Sequence, residues 1–200
     1  MGEISLDAGT VPTKAEPVQW MVRRADQDDA PELARVNVAA WRRAYRGIVP
    51  DEFLDGMDSA RRELGWSRWL AMPEPDAVFV ATDPVTGGGG YQAGRRIVAY
   101  ASVCAVREAQ DAHPELPTGE LAALYTDPAV WGRGAGHAVH EAAMDALGRF
   151  GFKHAVLWVF EDNPMARTFY CRHGWTCDGV REEFEVGGQR PFELRYSRSV

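Results

Sequence analysis

The sequence predicts one mixed α/β domain with elements in the order β-α-α-β-β-β-α-β-α-β-β, and three observations carry that expectation. Short runs rich in Val, Ile, Phe and Tyr alternate with longer stretches whose apolar residues recur at i, i+3, i+4 and i+7, the periods of strands and amphipathic helices. A glycine-bearing turn, Gly132-Arg133-Gly134-Ala135-Gly136, separates an apolar strand pattern from a long uninterrupted helix pattern. The 200 residues, 46% hydrophobic and 26% charged, suit a single core with a polar surface.

Residues 1–17 hold few large apolar side chains and read as a flexible tail, which leaves 18–200 as the one domain. Val18 to Arg24 is the first strand. Asp26 to Gly47 carries acidic residues and Pro31 at its head and Gly at its end, the punctuation of a helix, with Asn37, Trp41, Tyr45 and Ile48 along one stripe. Ser59 to Ala71 is a second helix with Leu64, Trp69 and Leu70 expected to face inward. Ala77 to Thr82 and Arg96 to Val106 are strands, joined by Asp83 to Gly94 with its four consecutive glycines. Gln110 to Thr118 contains His113, Pro114 and Pro117 and reads as a loop. Glu120 to Thr126 is the strand before the glycine turn. His154 to Phe160 is the next strand, and strands near Asp178 to Val186 and Phe192 to Ser197 close the chain around Gly187-Gly188.

The glycine turn reads as an anion cradle. Glycine tolerates positive φ and lets main-chain N–H groups approach a phosphate with no Cβ between them. Ala135, Ala138, Val139, Ala142, Ala143, Ala146, Leu147 and Phe150 then keep helical spacing, so the free N–H groups and positive dipole end of a helix face the same point. Arg133 adds a full charge. A P-loop is excluded, because His137 follows Gly136 and no Lys occurs until Lys153; a dinucleotide fingerprint fails at its third glycine for the same reason.

This segment, with Asp127-Pro128 before it, resembles motif A of the GCN5-related N-acetyltransferases, departing at Trp131 where that family usually has Gln or Arg. The stretch Asn163-Pro164-Met165-Ala166-Arg167-Thr168-Phe169-Tyr170, ending in Gly174-Trp175, resembles the family's motif B in order and separation. Asn163 or Asp162, Pro164 and Gly174 independently supply a cap, a first-turn proline and a C-terminal glycine for a helix there. Trp41, Tyr45, Gly47 and Pro50 look like an N-terminal pattern of many members.

The resemblance implies a mostly antiparallel sheet flanked by helices and transfer of an acetyl group from acetyl-CoA to the amine of a small molecule, peptide or protein. It places the cofactor on Leu124, Tyr125, Thr126, Gly132, Arg133, Gly134, Ala135, Gly136, His137, Asn163 and Tyr170, the first three through backbone groups along the pantetheine arm. Tyr170 is implied as the general acid for the departing thiolate, and Glu120 as a base working through water, against the alternatives of a packed Tyr and a strand-end carboxylate. Trp41 and Tyr45 either wall the acceptor pocket or belong to the core. A homodimer through the terminal strands is a further implication.

Composition bounds the remaining classes. With 22 basic and 29 acidic residues the net charge is −7, which disfavours a broad nucleic-acid footprint; binding through Arg133, Arg149 and Arg167 would show as steep salt dependence. Cys104, Cys171 and Cys177 offer no Cys-x-x-Cys pair, and His113, His137, His140, His154 and His173 show no metal spacing, so no metal is expected and the imidazoles other than His137 are read as surface or interface groups. The absence of an apolar leader or membrane-length run leads to a cytoplasmic expectation. A longer acyl-CoA donor and a non-catalytic acyl-CoA-binding module remain as alternative readings.

Overall fold

A computed structural model describes residues 18–83 and 96–200. The predicted tail, residues 1–17, and most of the glycine-rich connection, residues 84–94, lie outside the described residues. The element order is β1 (Met21–Arg24), α1 (Ala30–Ala44), α2 (Asp51–Asp55), α3 (Ser59–Leu70), β2 (Ala77–Thr82), β3 (Ile97–Ala105), β4 (Thr118–Thr126), α4 (Ala135–Arg149), β5 (His154–Phe160), α5 (Pro164–Arg172), β6 (Thr176–Glu183) and β7 (Phe192–Ser199). The strands form one sheet ordered β1-β2-β3-β4-β5-β7-β6.

Alternation along the strands divides the core between the two faces. Ala77, Phe79 and Ala81 of β2 meet Val139, Ala143 and Leu147 of α4, while Val78 and Val80 meet Leu33 and Val36 of α1 with Trp66, Trp69 and Leu70 of α3 packed beside them. Tyr170 of α5 and Trp175 join the α4 side. Leu64, expected inward, is 63% exposed, because Trp66, Trp69 and Leu70 form the buried face and Leu64 lies well around the helix from them. The short α2, built on Phe53 and Leu54, had no predicted counterpart; Leu54 forms a third cluster with Trp41 of α1, Tyr45 at the cap of that helix, Phe160 and Val186.

The first helix begins later than the acidic run suggests. Residues Gln27–Asp29 form a 3-10 turn closed by a capping box between Asp26 and Asp29, and Asp29 also takes two hydrogen bonds from Arg23 at 2.6 and 2.8 Å. The strand predicted near Asp178 is β6, which starts and ends earlier than expected.

Every neighbouring pair in the sheet is antiparallel except β4 with β5, which is parallel and pairs only Thr118–Glu120 with His154–Val156. Just beyond, β4 carries one residue more than β3: Leu121 pairs with Val103 and Ala123 with Ser102, leaving Ala122 as a bulge. A bulge bends its strand. From Leu121 to Thr126, β4 therefore stays paired with β3 on one edge while its other edge leaves β5, which continues along β7 to Phe160.

Tight packing anchors the paired end. A Cβ at Gly119 would stand 2.6 Å from Leu147 Cδ2 and 2.9 Å from Phe152 Cδ2, so α4 sits on β4 closely enough to require glycine. Gly119→Ala is expected to lower stability by ~1–3 kcal/mol through overpacking, measured by urea unfolding as a lower midpoint at unchanged slope; an unchanged midpoint would contradict this packing.

Candidate active site

The gap between the diverging strands opens into a cleft of about 1080 Å³ that runs from the start of α4 to the α1 aromatics. Every predicted site residue lines it except Arg133. That side chain is exposed, with its guanidinium 5.8 Å from the centre of the Trp20 ring, while its carbonyl accepts the Trp20 indole N–H at 2.8 Å.

At one end the glycine turn delivers α4. Gly134 caps the helix at φ +88°, a conformation that L side chains rarely adopt, and its carbonyl accepts the first helical bond from Ala138 N–H. The N–H groups of Ala135, Gly136 and His137 precede that bond and have no intrahelical acceptor, so they point outward with the positive end of the helix. Trp131 supplies a tie instead of the polar side chain usual there: its indole N–H donates to the Thr126 carbonyl at 2.9 Å, fixing the turn to the end of β4. Asp127 accepts from Ala129 N–H at 3.0 Å and from Arg35 at 2.8 Å, and Arg35 also reaches the Ile97 carbonyl, so the turn is held from both sides.

Along the middle, the unpaired edge of β4 faces the start of α5. Asn163 caps that helix, its Oδ1 accepting from Ala166 N–H at 3.1 Å, and Pro164 occupies the first turn as the sequence predicts. Tyr170 lines the same wall, 8% exposed, and its hydroxyl has no hydrogen-bond partner among the described residues. Burial pushes the phenol well above its ordinary pKa, helped by Tyr125. Tyr170 is thus a neutral O–H donor in the wall of the cleft.

The far end holds carboxylates and aromatic rings. Glu120 is 3% exposed in β4, and the Arg107 guanidinium engages both of its oxygens, with Arg107 Nε at 3.1 and 3.0 Å. Glu120 is therefore a buried carboxylate paired with a guanidinium whose own side chain is 56% exposed, rather than the exposed strand-end group of the alternative reading. Glu193 of β7 also lines the cleft and has no hydrogen-bond partner among the described residues; burial raises its pKa to about 7, with Arg107 opposing and Glu120 adding to the shift. Sequence reasoning passed over Glu193 because strand alternation between Phe192 and Leu194 does not say which sheet face borders a cleft. Trp41 and Tyr45 are at once cleft wall and core: their rings meet edge to face at 4.8 Å, Tyr45 meets Phe160 at 4.9 Å, and its hydroxyl lies 3.0 Å from that of Tyr125.

The histidines depart from expectation. His140 is fully buried rather than superficial, between Trp175 and Glu141, and burial lowers its pKa to about 4. His137, on the next helical turn, lies with its Nδ1 2.9 Å from His173 Nε2 at the end of α5. The spacing rule missed this pair because its members come from different helices.

Comparison with known proteins agrees with this geometry. Residues 38–175 match the model of the acetyltransferase (GNAT) family. A Bacillus subtilis (strain 168) protein described as the uncharacterized N-acetyltransferase YuaI is 31% identical over 175 residues, 86% of this chain and 89% of its own. A mycothiol acetyltransferase of Nocardioides sp. is 30% identical over 172 residues, covering 84% of this chain and 54% of the relative, so the chain spans about half the length of that protein. Among solved structures, the PaiA N-acetyltransferase of Thermoplasma acidophilum in complex with coenzyme A shares the fold at a TM-score of 0.68 and 14% identity, over 91% of this chain and 99% of the other. The family match and the full-length relative, on a fold whose sheet opens between β4 and β5, establish that this chain belongs to the GNAT acetyltransferase family.

Proposed function

We propose that the cleft transfers the acetyl group of acetyl-CoA to a primary amine of a small molecule, peptide or protein. Family membership makes the protein an N-acetyltransferase; the observation that carries the site assignment is the unpaired edge of β4 running directly into the free N-terminus of α4. The first offers backbone N–H and C=O groups to the amides of the pantetheine arm, as an added strand would use them. The second offers N–H groups and a positive dipole end to the pyrophosphate. Support for the donor comes from the PaiA complex with coenzyme A and from the Salmonella typhimurium protein yncA with acetyl-CoA, which shares the fold at a TM-score of 0.62 and 18% identity.

The chemistry requires an amine made neutral, a thioester carbonyl held beside it, and a proton for the departing thiolate. The amine nitrogen forms a bond to the carbonyl carbon, the carbon–sulfur bond breaks, and the electron pair leaves on sulfur. Tyr170 O–H supplies the proton to that sulfur, and the proton that the nitrogen sheds as it becomes an amide restores the phenol, which burial keeps protonated between turnovers.

Two carboxylates are placed to take the proton from the ammonium. Glu120 has both oxygens occupied by Arg107, so we assign it the task of holding the acceptor end of the cleft, with any proton reaching it through water. Glu193 has no such partner and titrates near neutrality, which suits a general base, and we assign it that role. The rings of Trp41, Tyr45 and Tyr125 bound the space that the amine occupies.

Thiol release followed with a panel of primary amines tests the activity directly. With an accepted amine, Tyr170→Phe is expected to lower turnover by roughly 10²–10⁴-fold while leaving acetyl-CoA binding unchanged; wild-type turnover would remove Tyr170 from the acid role. A base is active when deprotonated, so wild-type kcat/KM is expected to rise with pH and level off above about 7. Glu193→Gln, measured with the same amine so that the acceptor's own ionisation cancels, should lose that limb and slow the reaction. A variant with the wild-type profile and rate would return the proton-accepting role to Glu120.

A further inference from the structure

We propose that His137, Glu141 and His173 form a binding site for a divalent transition-metal cation of the zinc type, joining the start of α4 to the end of α5. His137 Nδ1, a Glu141 carboxylate oxygen and His173 Nε2 all lie within 4.8 Å of one another. Zinc with bonds of about 2.0–2.1 Å holds tetrahedral ligand atoms about 3.3 Å apart. The separations of 2.9 Å between the two imidazoles and 3.9 Å between His137 and Glu141 bracket that value, and the third pair lies within 4.8 Å, so ligation requires the Glu141 carboxylate to rotate toward His173.

The groups behind the ligands set their protonation and direction. The neighbour of His173 Nδ1 is the Phe169 carbonyl at 2.8 Å, which can only accept, so Nδ1 carries the proton and the Nε2 lone pair faces His137. The neighbour of His140 Nε2 is the Trp175 indole N–H at 2.9 Å, which can only donate, so the His140 proton sits on Nδ1 and is given to Glu141 Oε1 at 3.0 Å. Trp175, His140 and Glu141 thus form a relay that turns the carboxylate toward His137. Ligand-orienting hydrogen bonds of this kind characterise metal sites and strongly tune their affinity.

The donor set selects the class of cation. Two imidazole nitrogens and one carboxylate suit zinc, nickel, cobalt or copper and poorly match magnesium or calcium, which prefer oxygen. Three protein ligands leave a coordination position for water, and the exposed side chains of His137 and Glu141 leave an entry path. The positive end of α4 opposes a cation there, and the Glu141 carboxylate offsets it. A bound ion would tie together the two helices that flank the cleft at its phosphate end.

The direct test is calorimetric titration of the full chain with zinc chloride, with no coenzyme present, so the outcome is independent of the acetyl-transfer reading. Saturable binding is expected, weakened more than about tenfold by His137→Ala and by Glu141→Gln and retained in His113→Ala, which alters an imidazole pair elsewhere. Cobalt substituted for zinc should give the visible absorption of a four-coordinate nitrogen–oxygen site, lost in His137→Ala. Circular dichroism melts establish that each variant folds; both informative substitutions fall on exposed side chains. Absence of saturable binding, or equal affinity in wild type, His137→Ala and Glu141→Gln, would overturn the proposal.

Discussion

Ala122, unpaired opposite the junction of Ser102 and Val103, bends β4 at the point where its pairing with β5 stops, and the cleft follows from that bend. Three paired residues of each strand hold the sheet together below it. Above it, β4 keeps β3 on one side and presents bare backbone on the other, a condition a buried strand tolerates only where another chain, solvent or a ligand meets those groups. Gly119 lets α4 close down on the paired end, and Gly134 turns the chain so that the same helix begins at the open end. Backbone edge, helix N-terminus and the α5 wall with Tyr170 are therefore positioned by one local irregularity and two glycines.

What was legible in the sequence was local. The glycine turn, the α4 stripe, the Asn163 cap and Tyr170 are all set by spacing within a single element, and spacing survives in a sequence. What escaped depends on how elements meet. Glu193 borders the cleft because β7 pairs with β5, placing it opposite Phe160, and nothing within Phe192-Glu193-Leu194 signals that pairing. The bulge falls in an Ala-Ala dipeptide with no turn residue to announce it. His140 reads as a surface group until Trp175 closes over it, and Leu64 reads as core until the two tryptophans of α3 take the buried face. The interhelical His137–His173 contact belongs to the same class.

The charged groups at the far end of the cleft differ in their partners. Arg107 neutralises Glu120 and leaves Glu193 as the carboxylate whose ionisation is governed by burial. Burial of the Tyr170 phenol keeps its proton in place.

Calorimetry with acetyl-CoA on the wild type and on Gly134→Val tests the central claim most directly, because it addresses the cleft without an acceptor. The account requires micromolar binding, on the order of −8 kcal/mol, in the wild type and its loss in the variant, where a β-branched side chain cannot hold φ +88° at the helix cap. No binding in the wild type, or equal binding in both, would contradict the assignment of the β4 edge and α4 N-terminus as the coenzyme site.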